Sequence, residues 1–262
     1  MSSGPEDAAR VAVVGGGARG IGAAVARRLA ARGPVVVLDA LGGETVGYRH
    51  AADIDAQALR DSGIEVRSVD LRDLAATCAA VDEVTARYGR LDVAVACASA
   101  IAGGSPLWET SSDLRDGLWA ADATTAWNLA SATVPHLLAR PAADRPTVCV
   151  ATSVAGDRGL YGLSAYVVAK HAAVGVVRAL AADLVGTSVT ACGVAPGATD
   201  TEMLAATARI YGLDDVHELA QHQHPPRPFD PDDVAAVIEF GCTAGTSVHG
   251  AILPADGGFG RA

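Results

Sequence analysis

Tyr166 and Lys170 stand four apart in the run SAYVVAKH, residues 164–171. On a helix, positions i and i+4 share one face. A free phenol, with a pKa of about 10, is protonated at neutral pH and serves poorly as a base. An ammonium one helical turn away stabilises the phenolate and draws its pKa toward the working range. Such a pair can give a proton to a carbonyl oxygen or take one from a hydroxyl. The same spacing also suits plain side-by-side packing, so the rest of the chain must decide.

A second group of residues suits phosphate. In VGGGARGIG, residues 14–22, Gly16, Gly20 and Gly22 fit G-x-x-x-G-x-G between an apolar run and a helical pattern. Glycine permits the tight turn and the close approach of backbone to a pyrophosphate, and the helix N-terminus offers free N–H groups to an anion. A plain tight turn would use the same glycines, but the placement favours a dinucleotide. Asp39 ends the next apolar run about 20 residues on, where a carboxylate accepts from the two adenosine ribose hydroxyls. A carboxylate there repels a 2′-phosphate, which favours NAD(H) over NADP(H); the alternative is an exposed strand-end Asp. Arg19, inside the loop, is the one feature that would tolerate the extra phosphate.

The elements that must position these groups alternate. Apolar runs at residues 10–15, 34–40, 66–71, 91–98, 147–153, 188–196 and from 250 read as strands. Helical patterns cover 21–33, 73–88, 112–138, 165–184 and 231–240. Near-continuous apolar strands between helices imply a parallel sheet covered on both faces. The expectation is one α/β domain spanning 1–262: a three-layer, doubly wound Rossmann fold with a mostly parallel seven-stranded sheet. Residues 1–9 are expected to be flexible. Residues 41–63 read as a long connection with a short helix near 53–61, and residues 201–230 as a lid over the substrate.

Composition narrows the class. Half of the 262 residues are hydrophobic, 19% are charged, and the formal net charge is −10 without a basic cluster. That argues against a nucleic-acid partner. No apolar run is read as approaching the roughly 20 residues of a bilayer span. The polar start MSSGPEDAAR lacks a secretion core, so a cytoplasmic location is expected. The single, scattered cysteines Cys78, Cys97, Cys149, Cys192 and Cys242 read as small core residues, with no metal site expected.

Together these motifs resemble the short-chain dehydrogenase/reductase family from about residue 11 to residue 259. The resemblance rests on GGARGIG, VDL from Val69, Ser153 thirteen positions before Tyr166, YVVAK, PGATDT from Pro196 and ADGG from Ala255. It implies hydride exchange between a dinucleotide and a secondary alcohol or ketone. Tyr166 would be the acid/base, Ser153 would hold the substrate oxygen, and Lys170 would also bond the nicotinamide ribose. It assigns Asp70, with Leu71 beside it, to the adenine, and the backbones of Ile21 and Ala98 to the phosphate cradle and the adenosine ribose. Pro196, Gly197, Thr199 and Thr201 are assigned to the nicotinamide and pyrophosphate; Thr201 also suits a helix N-cap. AIAGGSPLWET (residues 100–110), WNLASATVPHLLARP (127–141), DTEML and IYGLDDV are similar to an actinobacterial subgroup tied to the mycofactocin redox system. That likeness implies tightly held NAD whose electrons leave through another redox carrier. The family also implies a homotetramer, formed through the Ala-rich helices at 120–138 and 165–184.

Three positions depart from the family pattern. Its Asn-Asn-Ala-Gly is ACAS here, residues 96–99, and its loop threonine is Gly15. Asp122 occupies the position of the active-site asparagine that holds the water of a proton relay. An aspartate there adds negative charge near Lys170 and could raise the lysine pKa. Alternatively, the carboxylate is protonated or the alignment is shifted by one turn. Leu160 and Tyr161 are expected in the pocket wall; Trp108, Trp119 and Trp127 in the core or a subunit interface, with Trp108 near the cleft. Two other readings stay open: a non-redox dehydratase or isomerase on the same scaffold, and a non-catalytic nucleotide-binding subunit.

Overall fold

The computed structural model describes residues 9–259; residues 1–8 of the stretch expected to be flexible lie outside the described residues. In chain order the elements are β1 (Ala12–Gly15), α1 (Gly20–Ala30), β2 (Val35–Asp39), β3 (Glu44–Thr45), β4 (Tyr48–Arg49), α2 (Asp53–Arg60) and β5 (Glu65–Ser68). Then come α3 (Leu74–Tyr88), β6 (Val93–Ala96), α4 (Ser112–Trp119), α5 (Thr125–Leu138), β7 (Thr147–Ala151), α6 (Ser164–Asp183), β8 (Thr190–Pro196), α7 (Glu202–Tyr211), α8 (Pro231–Thr243) and β9 (Ile252–Ala255). Seven strands form one sheet in the order β5-β2-β1-β6-β7-β8-β9. Every pairing in it is parallel.

The chain winds outward from β1 to β2 and β5, then crosses back to β6 and winds the other way. Loops after β1 and β6 therefore diverge at the C-terminal edge and leave a crevice, the usual ligand position in such sheets. Strand side chains fill a core on each face. Val13, Leu38, Val81, Leu129 and Val177 pack under α3, α5 and α6. Val14, Val25, Val37, Leu59 and Ile238 pack under α1, α2 and α8. Helix α6 is by length and composition apolar enough to cross a bilayer, contrary to the sequence expectation. Here its inner positions Ala169, Ala173 and Val177 are core, which makes it the central helix of a packed layer.

Two features were not anticipated. The helix expected over 112–138 is interrupted by a π-type turn at Ala120–Thr124. Such wide turns recur at functional sites, and this one carries Asp122. The long connection after β2 contains the antiparallel hairpin β3–β4, pairing Glu44 with Arg49 and Thr45 with Tyr48. Its tip is Val46-Gly47, both at positive φ, 45° and 77°. A β-branched residue seldom adopts that conformation, so docking must hold it. Val46 seats on Gly117 of α4, where an added Cβ would stand 2.0 Å from Val46 Cγ1.

Candidate active site

The crevice holds about 1420 Å³. At one end the glycine loop turns between β1 and α1. Gly16 sits at φ 72°, and a Cβ there would lie 2.3 Å from the backbone of Ala98; one at Gly22 would lie 2.2 Å from the Gly16 carbonyl. Only glycine fits either position, so the loop is a bare backbone cradle, pressed against the β6 loop and capping α1 with free N–H groups. Gly20, Ile21 and Arg19 line the same cradle. At Gly15, Leu71 and Leu129 occupy the space a side chain would need, at 2.8 and 3.0 Å from a built Cβ. Apolar packing thus replaces the hydroxyl tie that the family threonine would supply.

Asp39 closes the adenosine end. One carboxylate oxygen accepts the Ala18 N–H at 2.9 Å, which leaves the other for a ribose diol. Burial raises its pKa, against the opposing pull of the Ala18 N–H and the Arg19 guanidinium. Arg19 is held by the hairpin. Its guanidinium lies 4.9 Å from the Tyr48 ring centroid and donates to the Arg49 carbonyl, so the loop is fastened to the hairpin. Asp70 and Leu71 line the cleft beyond. The Asp70 carboxylate is already gripped by Arg72, at 2.7 Å, and held below its usual range. A contact to adenine has to share that ion pair. Buried Asn128 on α5, not singled out in the sequence, donates to the carbonyls of Leu71 at 2.9 Å and Arg72 at 3.0 Å and fixes this loop.

At the other end, α6 presents Tyr166 and Lys170 to the cleft, and the end of β7 presents Ser153. The Ser153 hydroxyl accepts the Ala155 N–H at 3.1 Å and pulls the Tyr166 phenol pKa down. Lys170 Nζ lies 5.7 Å from the Tyr166 ring centroid. Its direct partner is Asp122, at 2.8 Å from Nζ to Oδ1. The π-type turn therefore aims Asp122 at Lys170. All three side chains are nearly solvent-free.

This placement corrects one expectation about the phenol. Burial raises the Tyr166 pKa; the Lys170 ammonium opposes it but does not prevail, and Asp122 adds to the rise. For Lys170, burial pulls the pKa down, yet the Asp122 carboxylate, with Tyr166 and Cys97 adding to it, carries the net direction up. Lysine and aspartate largely neutralise one another, which blunts the field that acidifies the phenol. Ser99, at the position where the family pattern has glycine, also favours the ionised form of Tyr166. Cys97 lines the cleft with its thiol pushed up to about 12 by burial.

Pro196, Gly197, Thr199 and Thr201 follow β8 along the same wall. The Thr201 hydroxyl caps α7 by accepting the Leu204 N–H at 3.3 Å. Buried Gln223 bonds both the N–H and the carbonyl of Ala198 at 3.0 Å, tying the 201–230 segment back to this turn. Leu160 lines the cleft, but Tyr161 is 88% exposed and Trp108 81%, and neither belongs to its wall. Trp119 and Trp127 are half-exposed, so neither is a core residue.

A crevice at the switch point of a doubly wound sheet, with a phosphate cradle and a Ser/Tyr/Lys cluster, defines a dinucleotide-dependent enzyme. A family model described as enoyl-(acyl carrier protein) reductase matches residues 16–260. The chain is 33% identical over 256 residues to cis-4-hydroxycyclohexanecarboxylate dehydrogenase of Sinomonas cyclohexanicum, covering 96% of this chain and 97% of that one. It is 32% identical over 219 residues to (-)-trans-carveol dehydrogenase of Rhodococcus erythropolis, covering 78% and 77%. The carveol dehydrogenase of Mycobacterium avium, solved in complex with NAD, superposes with a TM-score of 0.86 at 28% identity over 95% and 96% of the two chains. The chain belongs to the short-chain dehydrogenase/reductase family of oxidoreductases.

Proposed function

We propose that the protein interconverts a secondary alcohol and a ketone with NAD(H), Tyr166 serving as the acid/base. The observation that carries this reading is the convergence of Ser153, Tyr166 and Lys170 on the wall of the cleft that holds the glycine cradle and Asp39. When bound, a nicotinamide supplies or accepts the hydride. Ser153 orients the substrate oxygen, and Tyr166 gives it a proton or removes one. Lys170 keeps an ammonium beside the phenol and has three N–H bonds; with one engaged by Asp122, it can still reach a ribose hydroxyl. The buried Asp39 carboxylate supports NAD over NADP, as does the engagement of Arg19 with the hairpin. The names of the dehydrogenase relatives support a cyclic alcohol as substrate.

The hairpin also supports retained NAD and, with the subgroup likeness, coupling to mycofactocin through a separate carrier. Tyr48 and Arg49 line the cleft and fasten to Arg19 of the glycine loop, where they would hinder exchange. We read the chain as a single domain with residues 201–230 as its substrate lid, and its location as cytoplasmic. We read it as a homotetramer that covers Trp127 and Leu138 of α5 and Val168 of α6, all large apolar side chains that are half-exposed in the single chain. The test begins with the absorbance of the protein as isolated, for bound dinucleotide, followed by NADH and NADPH titrations. A panel containing cis-4-hydroxycyclohexanecarboxylate and carveol is then run with free NAD and, in parallel, with an artificial electron acceptor. Turnover with the acceptor alone supports retained NAD; absence of turnover and of dinucleotide binding refutes the proposal.

A further inference from the structure

The two departures at Ser99 and Asp122 are joined in space, and the inference drawn from them rests on the redox reading above for the identity of the reaction. Ser99, in the loop after β6, stands where the family pattern ends in glycine, and Asp122 stands on the π-type turn. Ser99 Oγ donates to Asp122 Oδ1 at 2.5 Å, the short range of a charge-assisted hydrogen bond. The same Ser99 hydroxyl meets the Tyr166 phenol. Asp122 Oδ1 also receives Lys170 Nζ at 2.8 Å, while Oδ2 faces the Ala100 N–H at 3.5 Å. Ser99 and Lys170 both donate to Asp122 Oδ1, and the Ser99 hydroxyl favours the ionised phenol beside it. An asparagine could accept at one atom only and would carry no charge.

We infer that Ser99 and Asp122 form a side-chain proton path between Tyr166 and Lys170, with Ser99 acting on the phenol and Asp122 positioning and counter-charging the ammonium. In the reducing direction the phenol O–H breaks as its proton passes to the substrate oxygen. The Lys170 ammonium gives a proton to the Asp122 carboxylate and Asp122 passes it to Ser99, as Ser99 turns its own hydroxyl proton from Asp122 to the phenolate. One proton has then moved the length of the line, and water restores it to the Lys170 amine. Oxidation runs the same transfers backwards. Beyond Lys170 and Asp122, the titratable groups facing the phenol are the Cys97 thiol and Tyr48 of the hairpin, with Glu202 of α7 beyond Tyr48. None of these bridges Tyr166 to Lys170.

The test is an ultraviolet titration of tyrosinate in the protein free of nucleotide, with Tyr166→Phe subtracted to isolate the phenol. Asp122→Asn removes the negative charge and leaves Lys170 to act alone. The phenol should then titrate about one unit lower, a tenfold larger ionisation constant. Ser99→Ala removes a donor to the phenolate, so the titration should move the opposite way. Ser99→Ala should also lower kcat by roughly tenfold on whichever panel alcohol is turned over, with KM unchanged, and Ser99→Thr should restore it. A merely structural defect would not give opposite shifts or hydroxyl rescue. Full kcat in Ser99→Ala, or an unmoved titration in either variant, overturns the path. If Asp122→Asn fails to fold, the neutral and nearly isosteric Ser99→Ala still decides. Wild-type protein that oxidises no alcohol yet shows both titration shifts sinks the redox reading and leaves the path standing; normal turnover with neither shift does the reverse.

Discussion

Asp39→Asn separates cofactor recognition from scaffold stability. The amide is nearly the same size and can still accept the Ala18 N–H now held at 2.9 Å, so the loop should keep its shape. What is lost is charge. Hydrogen bonds to a charged acceptor contribute about 1.5–3 kcal/mol and neutral ones nearer 1. The NADH dissociation constant should therefore rise by roughly 1–2 kcal/mol, on the order of tenfold. For NADPH the change runs the other way, because a carboxylate no longer faces the 2′-phosphate. With effective dielectric screening that relief is about 1–2 kcal/mol. The NADH/NADPH affinity ratio should shift on the order of 100-fold toward NADPH, read by fluorescence titration at fixed salt. A ratio unchanged within about threefold refutes the ribose role. Stability gives a second reading with its own sign. Burial raises the Asp39 carboxyl pKa above the usual carboxylate value. A raised carboxyl stabilises the fold below the unfolded-state pKa, and that contribution is lost as pH climbs through the folded-state value. Nucleotide-free Asp39→Asn should melt level with wild type near pH 4 and above it at pH 8. A variant that melts lower at pH 8 contradicts the burial argument.

Three further outcomes test the rest. Tyr166→Phe should lose roughly 10²–10⁴-fold in kcat while binding NADH within about twofold of wild type; full activity removes the acid/base role. Asn128→Ala should strand the buried Leu71 and Arg72 carbonyls, costing about 1–3 kcal/mol and several degrees in Tm; a thermal melt within about 1 °C of wild type shows the loop needs no such tie. Trp127→Glu should dissociate the proposed tetramer in analytical ultracentrifugation, and a sedimentation profile unchanged from wild type refutes an interface at that residue.

Much of the sheet was legible because a buried parallel strand needs a continuous apolar run, and RVAVVG, PVVVLDA and TVCVATS have little else to become. The hairpin was not. Tight hairpins announce themselves by Asn-Gly or Asp-Gly, whereas this one turns on Val46-Gly47 and depends on Gly117, seventy residues away, to receive the valine. The π-type turn was hidden for a related reason: Ala120–Thr124 contains no breaker, and helical periodicity runs through it. In the site, the spacing of Ser153, Tyr166 and Lys170 foretold their meeting. Ser99 had no signal except as the residue standing at the glycine of the family's Asn-Asn-Ala-Gly. The direction of the phenol shift depended on burial and on Asp122, and neither weight can be taken from spacing. Exposed Tyr161 shows the opposite failure, an aromatic assigned to a wall by proximity in sequence alone.

The account turns on hydride exchange at the carbon whose oxygen Tyr166 serves. A panel alcohol deuterated at its carbinol carbon, incubated with the protein and followed by mass spectrometry of free and denaturation-released dinucleotide, tests this directly. The account predicts deuterium on the nicotinamide with wild type and none with Tyr166→Phe. Conversion of the alcohol without any label reaching the nucleotide would mean that the scaffold performs a dehydration or isomerisation instead.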